Sequence, residues 1–415
     1  MFRRVYLDNS ATTPVDPRVL DAMLPFLRED FGNASSIHYF GQRAKAAVDK
    51  ARHQVASLIN SRPNEIVVTS GGTESNNLAL RGLIESYIGG QSVRSWHGPK
   101  GSTQPTSKLH IIATAIEHPA VKNVIEDLEK REIADVSWLP AYENGIVTVE
   151  DVRRAIRPET TLISVMAANN EIGTIQPISE IGRHVRDLRK AGQKVWFHTD
   201  AVQAVGKMPI DVEELGCDLL SLSGHKIYAA KGIGALYVRR GVRLHPQNLG
   251  GRQERGIRGG TQSVPLIVAL GAACELAENE IHENSRRLEE LRDRLESSIA
   301  ELIPDLIFNG DRIHRLPNIS NISFIGVEGE GLLINMDMQG IAVSTGSACS
   351  SGTLEPSPVI RALGRDDQAA RSAIRFSFGH ENRSEDIDRV LEILPEAVES
   401  LRQLSPARRG RGGKL

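Results

Sequence analysis

Three features are scarce in this sequence. Cysteine occurs three times in 415 residues, an odd and small number that argues against a disulfide framework and for a reducing compartment. Charge is nearly balanced, with a formal net charge of -2 and a pI near 6.7. No overall field therefore draws the chain to nucleic acid or an anionic membrane, and the expected ligand is small. Long apolar runs are missing too: no stretch reaches the roughly eighteen apolar residues of a membrane span, and no apolar segment of signal-peptide type follows the opening Met-Phe-Arg-Arg. A cytoplasmic protein without internal repeats is the expectation.

What is present is an alternation. Near-continuous apolar runs at 66–69, 109–115, 161–166, 195–198, 219–222 and 234–238 are separated by helical patterns around 75–86, 120–131 and 178–190. Such runs predict an α/β protein whose mostly parallel central sheet is covered by helices on both faces. Ligands of such sheets collect at the carboxyl ends of the strands. A helical pattern over 264–303, too long for one layer, is expected to bridge to a smaller α+β domain with strands at 319–324, 341–344 and 374–377. Residues 14–281 then form the large domain, and 1–13 with 282–404 the small one. An extended piece from Tyr6 to Pro14 reads as an arm lying across another part of the molecule. Residues 89–105, rich in Gly, Ser and Pro, read as a mobile surface insertion, and 405–415 as a disordered basic tail.

Polar groups stand at the strand ends. Ser223-Gly224-His225-Lys226 closes one apolar run. A lysine there suits an imine with an aldehyde cofactor, and a surface lysine after a strand is the alternative. Thr69-Ser70-Gly71-Gly72-Thr73-Glu74 passes from strand to helix, where glycines admit close approach and the helix N-terminus favours an anion. The spacing is not that of a P-loop, because no lysine follows the glycines in the required place. Asp200 ends a further strand and suits the protonated ring nitrogen of pyridoxal phosphate, with Gln203 placed for the ring oxygen; an Asp N-cap is the plain alternative. His118 follows another strand and reads either as a residue stacked on the cofactor that exchanges protons or as a satisfied histidine before a helix. Asn170 is a candidate donor. Arg375 reads as a clamp on a substrate carboxylate or as a structural ion pair. Cys217 and Cys274 lie in apolar contexts and read as core. Cys349, in Gly346-Ser347-Ala348-Cys349-Ser350-Ser351-Gly352, reads as a reactive thiol on an exposed loop.

From Tyr6 to Leu404 these motifs, with YLDNSATTPVDPRV, NNEIGTIQPI, HTDAVQAVGK, SGHKIYAAKGIGALYVRR, ERGIRGGT and GSACSSGTLEPSPVIRALG, resemble the cysteine desulfurases of iron–sulfur cluster assembly. Those are pyridoxal-phosphate enzymes of fold type I. The resemblance implies pyridoxal 5'-phosphate held by Lys226, with Asp200 on the pyridine nitrogen and Gln203 and Asn170 hydrogen-bonding the cofactor. It implies a phosphate site of Gly72, Thr73, Ser223 and His225, joined by Thr261 from the other subunit of a homodimer. It makes His118 the stacking acid–base residue, Arg375 with Asn170 the substrate site, and Cys349 the sulfur acceptor. The reaction implied converts L-cysteine to L-alanine with a persulfide on Cys349, passed to a scaffold or sulfur-carrier protein. No resident metal is implied, Cys349 serving only as a transient iron–sulfur ligand. An aminotransferase or selenocysteine lyase of the same fold, and a non-catalytic member acting as a binding protein, are the competing readings.

Overall fold

The computed structural model describes residues 4–90, 108–345 and 355–404. The strands of the main sheet are β1 (Ile66–Thr69), β2 (Leu109–Thr114), β3 (Ala134–Leu139), β4 (Thr160–Ser164), β5 (Trp196–Asp200), β6 (Leu219–Ser223) and β7 (Gly234–Val238). Their spatial order is β1-β7-β6-β5-β4-β2-β3. Only β7 runs against its neighbours; the pairs β2–β3, β2–β4, β4–β5 and β5–β6 are parallel. The carboxyl ends of β1, β2, β4, β5 and β6 therefore open on one edge of the sheet, the edge to which the singled-out residues belong.

Both faces of the sheet are covered. On one, Leu78, Leu83, Val121 and Ile125 pack against Val67, Ile111 and Leu236. On the other, the helices Tyr39–Leu58 and Ile178–Lys190 and the start of the long helix Val264–Leu302 bury Val48, Val55, Ile181, Leu270 and Cys274 against Ile112, Phe197 and Leu220. Polar side chains inside the strands are matched across them: His110 meets Thr160 at 2.8 Å and Ser137 at 2.9 Å, and His198 meets Ser164 at 2.8 Å and Ser221 at 3.2 Å. Left unmatched, each such group would cost a few kcal/mol in the sheet.

The long helix serves two cores. Past Ile281, its Leu288, Leu291, Leu295 and Ile299 pack with Ile322, Phe324, Ile374 and Phe376 of an antiparallel sheet. That sheet is built from β8 (Leu306–Phe308), β9 (Ile319–Phe324) and β10 (Ala373–Ser377), ordered β10-β9-β8. Val5 and Leu7 belong to this second core. The arm pairs with it through Val5 on Ile341 and Tyr6 on Ala342, and through a bridge from Asp8 to Ser377.

Several boundaries move relative to expectation. The helix expected at 75–86 runs Gly72–Gly90, so Gly89 and Gly90 of the expected insertion are helical, and its remainder at 91–105 lies outside the described residues. The expected strand at 341–344 is a strand over Ile341–Ala342, with Ser344 joined to Arg375 by an isolated bridge. Strand β3 had no counterpart in the sequence reading. The tail 405–415 lies outside the described residues.

Leu295 is fully buried in the second core. Leu295→Ala should cost about 2–5 kcal/mol, the usual range for a buried leucine truncated to a cavity. Urea unfolding followed by circular dichroism checks this; a loss under about 1 kcal/mol would mean that the second core repacks freely around the helix.

Candidate active site

The five strand ends surround a cleft of about 280 Å³ lined by Gly72, Thr73, His118, Asn170, Asp200, Gln203, Ser223, His225, Lys226 and Arg375, together with Ser10 and Ala11 of the arm and Asn76 of the helix Gly72–Gly90. Lys226 ends a short 3-10 turn, Gly224–Lys226, that leaves β6. Its Nζ donates to the carbonyls of Ser10 at 2.5 Å and Ala11 at 2.7 Å. The arm lies across the lysine because its own polar groups are used there: Thr13 N donates to the His225 carbonyl at 3.0 Å and Ser10 N to Ser377 Oγ at 2.9 Å. Two positions on, Tyr228 adopts a left-handed backbone (φ 67°), unusual for a bulky residue. It is held from both sides, by its N–H on Thr13 Oγ1 at 3.0 Å and its hydroxyl accepting from His380 N at 2.8 Å.

Asp200 is buried at the end of β5. Its Oδ2 accepts from Asn76 Nδ2 at 2.7 Å and its Oδ1 from Val202 N at 3.0 Å. Asp200 caps the turn that follows, where the sequence alternative expected a helix, and it also presents a carboxylate to the cleft. Gln203 Nε2 donates to the Ser10 carbonyl at 3.0 Å. His118 caps the helix Pro119–Lys130, its Nδ1 accepting from Ala120 N at 3.1 Å. An accepting Nδ1 assigns the ring proton to Nε2. Burial pushes the imidazole below its usual pKa, the nearby Asp200 carboxylate opposing this and the Lys226 charge reinforcing it. His118 is thus a neutral ring with a donor to offer.

At the other end of the cleft the first turn of Gly72–Gly90 brings amides without intrahelical partners. A side chain at Gly72 would bring its Cβ to 2.8 Å from Val202 Cγ2, so the backbone approaches as closely as only glycine allows. Ser223 Oγ is buried with no hydrogen-bond partner among the described residues. His225 Nδ1 is 3.1 Å from Thr12 Oγ1, and burial, with Lys226, Lys231 and Lys207 nearby, pushes its pKa down to about 4. Unmet donors, a helix start and a glycine cradle at one end, with a carboxylate at the other, fit a phosphorylated pyridine. On these grounds the residues present match pyridoxal 5'-phosphate.

Arg375 is buried in β10. Its guanidinium donates to Asp8 Oδ1 at 2.7 Å and to the Asn170 carbonyl at 2.9 Å, while Nε is buried without a partner among the described residues. The ion pair weighed from sequence is therefore real, and the arginine still lines the cleft. Thr261 does not line it; it borders another hollow with Gly260, Gln262 and Arg258. Cys349 lies outside the described residues. The chain leaves the described part just after Ser344, which exchanges backbone hydrogen bonds with Arg375, and has rejoined it by Ser357, whose Oγ donates to Glu171 at 2.6 Å. Cys217 and Cys274 are buried away from the cleft, and burial pushes the Cys217 thiol up to about 12 and that of Cys274 upward as well. Neither is a nucleophile.

Sequence reasoning missed Asp8, Ser10, Ala11, Asn76 and Glu117. Asn76 lies one helical turn beyond Gly72, a spacing that signals a shared face. The carbonyls of Ser10 and Ala11 carry no side-chain signal. Glu117 is buried beside His118; its Oε1 accepts from Met166 N and from Thr114 Oγ1, both at 2.8 Å, tying together the ends of β2 and β4.

The family model described as "Aminotransferase class-V" matches residues 5–95 and 97–390. The chain is 46% identical over 409 residues to the cysteine desulfurase of Homo sapiens, spanning 98% of this chain and 84% of that protein. It is 44% identical over 406 residues to the cysteine desulfurase IscS of Dictyoglomus turgidum, spanning 98% and 97%. Among solved structures, one titled "NifS-like protein" superposes with a TM-score of 0.85 at 36% identity, covering 96% of this chain and all of that one.

Burial pushes the Glu117 carboxyl up from 4.5 to about 8, against the two hydrogen bonds it accepts. A carboxyl that holds its proton more tightly folded than unfolded favours the fold below 4.5, and this advantage is lost as pH rises through about 8. Glu117→Gln keeps the acceptor and removes the titration, so its stability should fall less than the wild type's over that interval. Urea unfolding at a series of pH values compares the two slopes; equal slopes would refute a neutral Glu117.

Proposed function

The chain belongs to the class-V aminotransferase family and is a pyridoxal-phosphate-dependent cysteine desulfurase acting on L-cysteine, and we propose that Lys226, His118 and Cys349 carry its reaction. The observation that carries the assignment is the convergence, in one cleft, of the Lys226 amine, the Asp200 carboxylate, His118 and Arg375. Lys226 would hold the cofactor through Nζ, Gly72, Thr73, Ser223 and His225 would receive its phosphate, Asp200 would serve its ring nitrogen, and Gln203 and Asn170 its polar edge. Bound there, the cofactor supplies an electron sink for the α-carbon of the substrate.

The chain's own groups do the rest. Arg375 and Asn170 orient the substrate carboxylate, with the Arg375 Nε, which has no partner among the described residues, in reserve for it. The Lys226 amine would take the α-proton, and the Ser10 and Ala11 carbonyls keep it aimed. His118 offers its Nε2 proton inside the cleft. Cys349 attacks the substrate sulfur as a thiolate; an S–S bond forms as the C–S bond breaks, and the carbon takes up a proton to leave as alanine. The persulfide on Cys349 then passes to an acceptor protein. With the other two cysteines buried, Cys349 is the thiol left for this step.

Further parts of the reading are a cytoplasmic homodimer in which Thr261 completes the partner's phosphate site, a division into units 14–281 and 1–13 with 282–404, and an iron–sulfur scaffold as one acceptor. An apolar surface around the stacked rings of Phe31 and Phe40, with Ile37 and Tyr39 exposed beside them, supports the dimer.

Cys349→Ala should keep the visible cofactor band and lose sulfide release from L-cysteine by on the order of a hundredfold or more. Lys226→Ala should lose the band. Unchanged turnover in the cysteine variant, or an unchanged spectrum in the lysine variant, would reject the assignment.

A further inference from the structure

Behind Lys226 a second hollow follows the long helix, lined among others by Asn9, Asp16, Lys207, Lys226, Tyr228 and His380. Lys207 lies on the turns after β5, four positions beyond Gln203, and Ser285 of the long helix donates to its carbonyl at 2.9 Å. Its Nζ donates to the Gln203 carbonyl at 3.1 Å and to Gln203 Oε1 at 3.2 Å. Asp16, the carboxylate on the same hollow, is engaged by Arg18 at 2.8 Å. Among the described residues Lys207 thus spends its half-buried amine on one glutamine. Burial, and then the charge of Lys226, push its pKa down to about 7, a cost that surface placement would have avoided.

The two ends of a glutamine amide differ: Oε1 only accepts and Nε2 only donates. The Ser10 carbonyl only accepts, so it draws Nε2; on the other side the protonated Lys207 only donates, so the atom it meets is Oε1. Nε2 is then turned to the Ser10 carbonyl at 3.0 Å, with its second hydrogen left for the cleft that Gln203 lines. The flipped amide would set oxygen against the Ser10 oxygen and, with Lys207 protonated, an amide N–H against its N–H groups. The same Ser10 carbonyl accepts from Lys226 Nζ, so amide and amine are registered by one oxygen. We propose that Lys207 is a positioning residue that locks the Gln203 amide so that the cleft is offered a hydrogen-bond donor at that position. This rests on the reading that Gln203 faces the polar edge of the cofactor.

A double-mutant cycle tests it. Apoprotein of the wild type, Lys207→Met, Gln203→Leu and the double variant is titrated with pyridoxal 5'-phosphate, reading the dissociation constant and the position of the visible band. Each single change should weaken cofactor binding by on the order of tenfold and shift the band, and the double variant should match Gln203→Leu alone. Multiplied effects, on the order of a hundredfold in the double variant, overturn the proposal while leaving Gln203 on the cofactor. So does a Lys207→Met protein that binds like the wild type. Gln203→Leu without effect overturns the Gln203 contact and the proposal together. Thermal unfolding of the apoproteins reports folding, and where Lys207→Met does not fold, Lys207→Gln takes its place in the cycle.

Discussion

An amine at the floor of a buried cleft has to be met by acceptors, and here they are the backbone carbonyls of Ser10 and Ala11, 2.5 and 2.7 Å from Lys226 Nζ. The arm that supplies them is anchored at both ends. Val5 and Leu7 are part of the second core, and Thr13 is bonded to His225 and Tyr228 beside the lysine. One short extended segment thereby ties the main sheet, the second core and the long helix to the position of a single nitrogen. The left-handed Tyr228 belongs to the same construction, since the turn that presents Lys226 passes straight into it.

Around that nitrogen the charges are arranged in opposition. The buried Asp200 carboxylate lines the same cleft as Lys226, and Arg375, also on that cleft, is balanced by Asp8 across the β10 edge. Carboxyls with no cationic hydrogen-bond partner, Glu117 and Glu171, are pushed upward by burial and bonded as acceptors to Thr114, Met166 and Ser357. They act as struts between strand ends, while Asp200 is the carboxylate that the cleft presents. Imidazoles are treated the same way: His118 and His225 are both pushed toward the neutral ring, which lets them donate or accept hydrogen bonds without adding charge beside Lys226.

Much of this was legible beforehand, for physical reasons. Strands buried on both faces read as unbroken apolar runs, so β1, β2, β4, β5, β6 and β7 were found to within two residues or so at either end. Strand β3 was not, because Ala134–Leu139 forms the edge of the sheet and alternates Asp135 and Ser137 with Ala134, Val136 and Trp138, so it shows no unbroken apolar run. The cleft residues Asp200, His118, Lys226 and the Gly72 turn were legible because polar groups directly after apolar runs stand where a parallel sheet collects ligands. Their supports were not. Asn76 against Asp200, Asp8 against Arg375 and Glu117 between two strands meet across 3 to 367 positions of chain, and sequence spacing carries no sign of such pairs.

By itself the sequence determined the kinds of group available and the strand ends on which they stand: one lysine after β6, one aspartate at the end of β5, a glycine turn at a helix start, and a single cysteine outside apolar surroundings. Residue type and local period encode these. Only the tertiary structure decided which way the groups face and in what state they are held. It seated the lysine on two carbonyls, put the His118 proton on Nε2, turned the Gln203 amide against Lys207, and let Arg375 be both paired and lining the cleft. Those outcomes depend on desolvation and on atoms brought together from distant parts of the chain, which the order of residues does not display.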